Sequence, residues 1–177
     1  MKNFTRRQIT LAVLPAVIFV LLGAAAGAAG YRFNITNSLP IGIWRITDAI
    51  GRDAYVTACV PPNAPMMEMA IAKGYLPDGD CKGGYAPVLK RVVAVEGDTV
   101  TLTPTAVFVN GHAIPNTETL AYRFIDPLPA IARGTYAVAP GEFWLIANEN
   151  PRSFDSRYFG ALQRSDIEYA MKPVLVF

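Results

Sequence analysis

The sequence contains few residues that bind metals or serve histidine-based catalysis. Its 177 residues include one histidine, His112, and two cysteines, Cys59 and Cys81. A structural zinc site needs a cluster of such ligands, and the chain has too few to complete one, so we expect no metal and no cofactor. A Ser-His-Asp triad would have to use His112, which follows the turn-forming pair Asn110-Gly111 and is expected to be an exposed loop residue.

Negative charge is absent from the first 47 residues, which also hold the longest hydrophobic run of the chain. Residues 9–30 carry no charge, and three basic residues precede them. An uncharged run of this length can cross a bilayer core of roughly 30 Å, and the positive-inside rule then places its basic end in the cytoplasm. We therefore expect residues 1–30 to form a cytoplasmic tail and membrane anchor, and residues 31–177 to form one domain outside the cytoplasm.

A cleaved secretory signal peptide is the alternative interpretation of the same run. Residues 24–29 are rich in alanine and offer A-x-A cleavage sites, and Arg6-Arg7 is similar to a twin-arginine export signal. The 22 uncharged residues are, however, long for the hydrophobic core of such a peptide. Both interpretations place the remainder of the chain outside the cytoplasm.

The charge of that remainder excludes one class of partner. Lys2, Arg6 and Arg7 supply three of the 16 basic residues, which leaves 13 basic against 14 acidic residues. A nearly neutral body does not provide the basic surface that nucleic-acid binding needs. We expect no nucleic acid among the partners.

The two cysteines are an even pair in a domain expected to lie in an oxidising compartment. This predicts a disulfide between Cys59 and Cys81, the alternative being two unpaired buried thiols. In the chain-entropy model, closing a loop of about 22 residues stabilises the fold by roughly 3 kcal/mol.

The distribution of β-branched and aromatic residues predicts a mainly β domain with one short helix, a sandwich or folded barrel rather than an α/β sheet. The helix is expected at residues 63–73, with Asn63 as its N-cap and Gly74 following its last turn. Residues 115–134 are expected to be irregular. Strands are expected at residues 43–47, 54–60, 88–95, 99–103, 106–109, 136–139, 143–147 and 167–176, with a hairpin about Pro140-Gly141.

Two separated motifs contain the residues that a Ser-Lys hydrolase needs. Ser38 lies in T-N-S-L-P-I-G, where proline and glycine fix a loop, and Lys90 lies in L-K-R-V-V-A-V-E-G-D. A lysine can act as a general base only when it is neutral, and burial lowers its pKa from the usual value of about 10.4. On a strand Lys90 shares a face with valines while Arg91 points the other way, so the first can be buried and the second solvated. The alternatives are a turn serine and a lysine with its amine in water.

A third polar motif, S-F-D-S-R, supplies candidates for support of these two residues. Asp155 and Arg157 can pair and brace their loop, and Ser153 can accept a hydrogen bond from the Lys90 amine. Near the serine, the Thr36 hydroxyl can add a donor for a developing oxyanion. A solvated surface loop is the alternative for the third motif.

Taken together, the three motifs resemble those of the type I signal peptidase family. The matching segments are S-L-P, K-R-V-V-A-V-E-G-D, the strand-rich V-A-P-G-E-F-W-L-I-A-N-E-N and S-F-D-S-R-Y-F-G, which span most of residues 36–160. Two features depart from the usual pattern, S-L-P-I-G in the first motif and N-E-N where G-D-N is common. The segments N-S-L-P-I-G-I-W, G-Y-L-P-D-G-D-C and G-G-Y-A-P-V-L-K-R-V are similar to the TraF-type branch, the conjugative-transfer maturation peptidases.

This resemblance implies a signal peptidase-like β domain on the periplasmic side of a bacterial inner membrane, anchored by a single transmembrane helix. It implies a serine endopeptidase in which Ser38 is the nucleophile and Lys90 the base, with the Ser38 N–H and Thr36 at the oxyanion. The implied substrate is a conjugative pilin precursor, whose ends the acyl-enzyme can also join. A general signal peptidase for secretory preproteins and a non-enzymatic envelope component of a conjugation apparatus are the alternatives.

Overall fold

The computed structural model describes residues 6–118 and 130–177. These residues are mainly β, as the sequence predicts, and most of the segment expected to be irregular lies outside them. In chain order the elements are α1 (Arg6–Ala28), β1 (Tyr31–Asn34), β2 (Gly42–Thr47), β3 (Tyr55–Ala58), α2 (Met67–Ala72), β4 (Val88–Val95), β5 (Thr99–Leu102), β6 (Val107–Val109), β7 (His112–Ile114), β8 (Gly134–Ala137), β9 (Glu142–Ile146), α3 (Ser156–Phe159), β10 (Leu162–Gln163) and β11 (Ile167–Val176).

Within the described residues the strands form two antiparallel sheets. The larger has the order β1-β2-β11-β3-β4-β9-β10, and the smaller has the order β7-β6-β5-β8. The long strand β11 pairs with both β2 and β3, and its register shifts once along each partner. Such irregularities bend a strand and increase its twist, which lets the larger sheet curl. Strand β4 lies between β3 and β9, so Lys90 is carried by an inner strand.

Strand β4 contributes to two separate parts of the hydrophobic core. Val88 and Val92 belong to the cluster that also holds residues of β3 and α2, whereas Val93 and Ala94 belong to the cluster beneath the smaller sheet. The change follows from a register shift against β9 between Val92 and Ala94. Val92, Val93 and Ala94 are all buried, so this half of the strand is covered on both faces, which accounts for its apolar sequence.

The hairpin predicted about Pro140-Gly141 is wrong. Strand β8 pairs with β5 in the smaller sheet, while β9 pairs with β4 and β10 in the larger one. A turn is nevertheless present, because Gly141 has φ +77° and the Glu142 N–H bonds the Ala139 carbonyl at 3.0 Å. The chain uses this turn to pass from one sheet to the other.

The helix α2 is present but shorter than predicted. It begins at Met67 rather than near Asn63, because Met66 has a left-handed conformation with φ +63°. Its end matches the expectation, since Gly74 has φ +66° and its N–H bonds the Ile71 carbonyl at 3.0 Å. Glycine adopts that conformation without the steric cost that a Cβ would bring.

Helix α1 leads directly into the larger sheet. Its large apolar side chains from Val13 to Leu22 are exposed, including Phe19 at 78%. After the helix, the Gly30 carbonyl accepts a hydrogen bond from the Ile46 N–H at 2.9 Å, which joins the end of the helix to β2. Among the described residues, no helix has the combined length and hydropathy expected of a membrane span.

A disulfide joins Cys59 and Cys81, the pairing that the sequence predicts, with their Cα atoms 5.5 Å apart. Cys59 directly follows β3, and Cys81 lies in the loop between α2 and β4. That loop is also tied to the end of β3 by a hydrogen bond from the Tyr85 hydroxyl to the Val60 carbonyl. The disulfide therefore fastens the segment that leads into β4.

Replacing both cysteines by serine should lower the free energy of unfolding by roughly 3 kcal/mol, because the unfolded chain regains the entropy of an open loop of 22 residues. Denaturant unfolding of the wild type and of Cys59→Ser/Cys81→Ser measures this difference. The wild type under reducing conditions is the matched control and should lose a similar amount. Unchanged stability in both samples would contradict a structural role of the disulfide.

Candidate active site

The loop between β1 and β2 carries Ser38 and is held by one buried side chain, Asn34, the last residue of β1. The amide nitrogen Nδ2 of Asn34 donates to three carbonyls of the loop at 3.0 to 3.1 Å, those of Thr36, Leu39 and Pro40. The Asn34 Oδ1 accepts the Thr36 N–H at 3.1 Å and its hydroxyl at 2.8 Å. Because a buried amide is costly to leave unpaired, these bonds fix the loop in one conformation.

Leu39 anchors the same loop in the core. Its side chain is 2% exposed and belongs to a small cluster with Trp44, Ala147 and Met171. The neighbouring Ser38 is half-buried, and its N–H has no hydrogen-bond partner among the described residues. The loop thus presents a hydroxyl and a free donor from the same residue.

Lys90 is buried in the middle of the larger sheet. It is 3% exposed, and its strand neighbours Val88 and Val92 are also buried, whereas Arg91 reaches solvent and pairs with Asp53 at 2.6 Å. The alternation expected from the sequence is therefore present. Burial lowers the pKa of Lys90 from 10.5 to about 8, because the ammonium form is penalised in a poorly solvated position.

The charges near Lys90 shift its pKa in both directions. Asp155 and Glu149 raise the pKa of Lys90 and Arg157 lowers it, but each acts more weakly than burial. Within the described part of the chain, no carboxylate lies within ion-pair distance of the Lys90 amine. A buried amine without an ionic partner loses its proton more readily than an exposed one, and the neutral form is the form that can accept a proton.

Asp155 forms a two-bond pair with Arg157, and both side chains are fully buried. The Arg157 Nε and one terminal nitrogen each donate to a different oxygen of Asp155 at 2.8 Å. Asp155 also caps α3 by accepting the Arg157 N–H at 3.1 Å, and it accepts the Ala147 N–H at 3.2 Å. Four donors to one carboxylate make this the best-satisfied polar group near Lys90.

The segment after β9 is joined to the Ser38 loop at two points. The Ser153 hydroxyl donates to the Ser38 Oγ at 3.2 Å, and the Asn150 side chain donates to the Asn37 carbonyl at 3.1 Å. Arg157 in turn donates to the Ser153 carbonyl at 3.3 Å, so the buried ion pair positions the residue that contacts Ser38.

Ser38 and Lys90 open onto the same cavity, which has a volume of about 690 Å³. Its lining is mostly apolar and draws on strands that are far apart in the chain, including Phe33 of β1, Trp44 of β2 and Met171 of β11. The curled sheet is what brings these strands around one space. An extended apolar peptide fits the chemistry of such a lining.

The structure differs from two expectations for the supporting residues. The Thr36 hydroxyl lines the cavity, but its hydrogen is directed at Asn34 Oδ1 rather than into open space. Ser153 bonds to Ser38 and not, among the described residues, to the Lys90 amine. The third motif is buried, so the alternative of a solvated surface loop does not hold; Ser153, Asp155 and Arg157 are each at most 2% exposed.

Sequence reasoning missed Asn34 and Asn150, which hold the two loops of the site. An asparagine that ends a strand two residues before a threonine is a signal for a local side-chain turn, and this could have identified Asn34. The Asn150 contact spans 113 residues and has no comparable local signal. His112 is exposed as expected, although it lies in β7 rather than in a loop.

Comparison with known proteins identifies the family. The model of the signal peptidase family, peptidase S26, matches residues 6–174. The chain belongs to this family. A solved signal peptidase I from Enterococcus faecalis is similar to 70% of this chain and 97% of its own, at 19% identity and a TM-score of 0.40.

The relatives also confirm the TraF-type resemblance. A plasmid transfer protein TraF from Escherichia coli is 34% identical over 179 residues, covering 100% of both chains. A second protein of that name and organism is 36% identical, over 89% of this chain and 90% of its own. A probable conjugal transfer protein TraF from Sinorhizobium fredii is 34% identical, over 87% of this chain and 81% of its own.

Proposed function

We propose that this signal peptidase-family protein is a serine endopeptidase with a Ser38-Lys90 dyad. The observation that carries the proposal is a buried Lys90 amine, without an ionic partner in the described chain, bordering the same cavity as Ser38. Ser38 is half-buried on a loop that Asn34 holds in place. A neutral amine near a fixed hydroxyl is the arrangement that activates a serine without histidine.

The proposed reaction proceeds through an ester of Ser38. Lys90 Nζ takes the proton of the Ser38 hydroxyl as its Oγ attacks the carbonyl carbon of the scissile peptide. The carbon–nitrogen bond then breaks, and the Lys90 ammonium gives its proton to the leaving amine. Water, deprotonated by the neutral Lys90, hydrolyses the ester and releases Ser38. If the amino terminus of the same substrate attacks instead, a new peptide bond joins the two ends.

The oxyanion of this reaction is assigned to the Ser38 N–H, which has no other partner in the described residues. Thr36 can contribute its hydroxyl only by giving up its bond to Asn34 Oδ1. Preorganised donors stabilise an oxyanion best because they need no rearrangement. The backbone donor is therefore the principal one in our proposal, and Ser153, Asp155 and Arg157 support the site by positioning.

The proposed substrate is a conjugative pilin precursor presented at a bacterial inner membrane. Relatives of about the same length carry the names plasmid transfer protein and conjugal transfer protein. Residues 1–30 are proposed as a cytoplasmic tail and anchor, which is supported by the uncharged run at 9–30 and the exposed apolar side chains of α1. Residues 31–177 would then be the catalytic domain in the periplasm.

The proposal is tested by incubating the full-length protein with a pilin precursor or a secretory preprotein and measuring intact masses. We expect the wild type to shorten the pilin precursor and Ser38→Ala to leave it intact. A product whose mass is one water below that of the linear cleavage product would identify joined ends. Cleavage of the preprotein alone would favour a general signal peptidase, and failure to cleave either substrate would favour a non-enzymatic envelope component.

The pH dependence of turnover should follow the ionisation of Lys90. Its pKa of about 8 means that the neutral amine becomes scarcer as the pH falls below that value. We expect kcat/KM to fall about tenfold per pH unit below pH 8 and to level off above it. His112→Asn is the matched control and should keep the same profile, whereas a rate independent of pH through this range would contradict Lys90 as the base.

A further inference from the structure

The Ser38 loop borders two cavities. Thr36 and Ser38 line the larger one, of about 690 Å³, whereas Asn37 and Leu39, which alternate with them in the sequence, line a smaller one of about 240 Å³. The other residues that line the smaller cavity are Pro40, Ile41, Glu149 and Phe177. An extended peptide that crosses the loop at Ser38 can therefore place one side of its scissile bond in each cavity.

The walls of the smaller cavity are tied to the Ser38 loop on two sides. The Phe177 N–H donates to the Ile41 carbonyl at 2.9 Å, so the residue that follows β11 is held beside the loop. The Asn150 side chain donates to the Asn37 carbonyl at 3.1 Å, which holds the segment containing Glu149 on the loop as well. The smaller cavity is therefore built from the same loop that positions Ser38.

Glu149 is the one charged side chain among the described residues that line the smaller cavity. Its carboxylate is exposed and forms no ion pair within the described part of the chain. Its charge nevertheless acts on Lys90, whose pKa it raises. Glu149 lies in N-E-N, the segment that departs from the common G-D-N motif, and neither the dyad nor its supporting residues use it. A carboxylate in electrostatic range of the dyad is therefore available to a cationic group of the substrate.

The proposed reaction presents such a cationic group. Cleavage releases the downstream part of the substrate as an α-amine, which has a pKa of about 8 and is largely ammonium at neutral pH. An α-amine is also the group that attacks the ester when two ends are joined. Because that attack is the reverse of forming the ester from a peptide, the attacking amine enters where the leaving amine departs. Both steps therefore need one amine site beside Ser38.

We propose that the smaller cavity is this amine site, and that Glu149 binds the α-ammonium of the peptide that leaves Ser38 or attacks its ester. The inference rests on the proposed function and adds a binding residue to it. Before attack the bound ammonium gives one proton to water. The amine nitrogen then bonds to the ester carbonyl carbon, and the bond from that carbon to the Ser38 Oγ breaks. Lys90 takes a second proton from the amine and passes it to the Oγ.

Removing the charge of Glu149 should move the acyl-enzyme from aminolysis toward hydrolysis, because water needs no counter-ion and an ammonium group does. We expect Glu149→Gln to lower the ratio of aminolysis to hydrolysis product about 2- to 5-fold, the usual effect of one exposed ion pair. Glu149→Lys should lower the ratio further, and Glu149→Asp should keep most of it. Added salt should lower the ratio in the wild type and change it little in Glu149→Gln.

The experiment uses the full-length protein, a peptide spanning the processing site of a conjugative pilin precursor, and the dipeptide amide alanylglycinamide as the added amine. Mass spectrometry of each sample measures the hydrolysis product and the alanylglycinamide adduct together. Both products form from the same acyl-enzyme with Lys90 as the base, so a change in the rate of acylation does not alter their ratio. This matters because Glu149 also acts on Lys90.

Two controls test whether the effect depends on this carboxylate and on the charge of the amine. Glu96→Gln removes the same charge from an exposed residue that lines neither cavity, and it should leave the ratio unchanged. Hydroxylamine is a small nucleophile that is uncharged near pH 8. Its adduct should form in the same proportion with the wild type and with Glu149→Gln.

The outcomes separate this inference from the proposed function. An unchanged ratio in Glu149→Gln, or an equal fall in Glu96→Gln, would overturn the role of Glu149 and leave the dyad untouched. An equal fall with hydroxylamine would show that Glu149 does not act through the charge of the amine. Hydrolysis by the wild type without any adduct would overturn the amine site alone. If the wild type forms neither product, both this inference and the proposed function fail.

Discussion

Replacing Lys90 by alanine, methionine or arginine is expected to lower kcat/KM by at least about 10³-fold, because each change removes the proposed proton acceptor of Ser38. Lys90→Arg is the most discriminating of the three variants. It keeps a long cationic side chain, but a guanidinium group does not deprotonate in proteins. Quantitative cleavage of the pilin precursor by each variant measures the loss.

In Lys90→Met, loss of activity should not come from loss of folding. The pKa of Lys90 is about 8 in the folded protein against 10.5 as its ordinary value, so the buried amine costs roughly 3 kcal/mol below pH 8. Lys90→Met removes that cost and keeps the volume. We expect its free energy of unfolding near pH 7 to exceed that of the wild type by up to roughly 3 kcal/mol.

The free-energy cost of burying a charged Lys90 should also make the stability of the wild type depend on pH. Between about pH 8 and 10.5 the unfolded chain still binds the proton that folded Lys90 has lost, so the free energy of unfolding rises with pH across that window. The rise should be absent in Lys90→Met. An active Lys90→Arg, or a Lys90→Met that is less stable than the wild type, would contradict a neutral buried amine.

Removal of Asp155 is expected to produce the largest loss of stability. Asp155→Ala leaves the fully buried Arg157 guanidinium without its carboxylate and the Ala147 N–H without its acceptor. Breaking one side of a buried pair costs about 3 to 5 kcal/mol. Chemical denaturation of the variant measures this loss, and turnover should fall as well, because Arg157 no longer holds the Ser153 carbonyl.

A matched control and a double variant distinguish the effect of breaking the buried Asp155-Arg157 pair from a general effect of removing a charge. Arg91→Gln breaks the exposed pair with Asp53 and should cost no more than about 1 kcal/mol. Asp155→Ala/Arg157→Leu removes both buried charges and should be more stable than Asp155→Ala alone. A loss below about 1 kcal/mol in Asp155→Ala would show that the pair does not hold this part of the site.

Local patterns in the sequence predict much of the fold and less of the site. Strand β4 was predictable to the residue, because its run of β-branched residues ends at the turn signal Gly97-Asp98, and the predicted bounds of β11 also match the structure. The turn at Pro140-Gly141 was equally clear, but nothing local tells which sheet each flanking strand joins. Pairing partners far away in the chain decide that question, and they reversed the hairpin prediction.

The site, like the fold, was predictable where neighbouring residues decide the structure and unpredictable where distant contacts decide it. The burial of Lys90 follows from its valine neighbours on one strand, and the sequence indicated it. The third motif reads as polar and could equally be solvated, because its burial depends on Asp155 and Arg157 satisfying each other in the core.

Trapping the acyl-enzyme tests the Ser38-Lys90 dyad most directly. The wild type is mixed with precursor, quenched in acid during turnover, digested and mapped by mass spectrometry, with Lys90→Met treated in parallel. We predict a substrate-derived acyl group on the peptide containing Ser38 in the wild type and none in Lys90→Met. An acyl group on another residue, or its formation at an undiminished rate in Lys90→Met, would contradict the dyad.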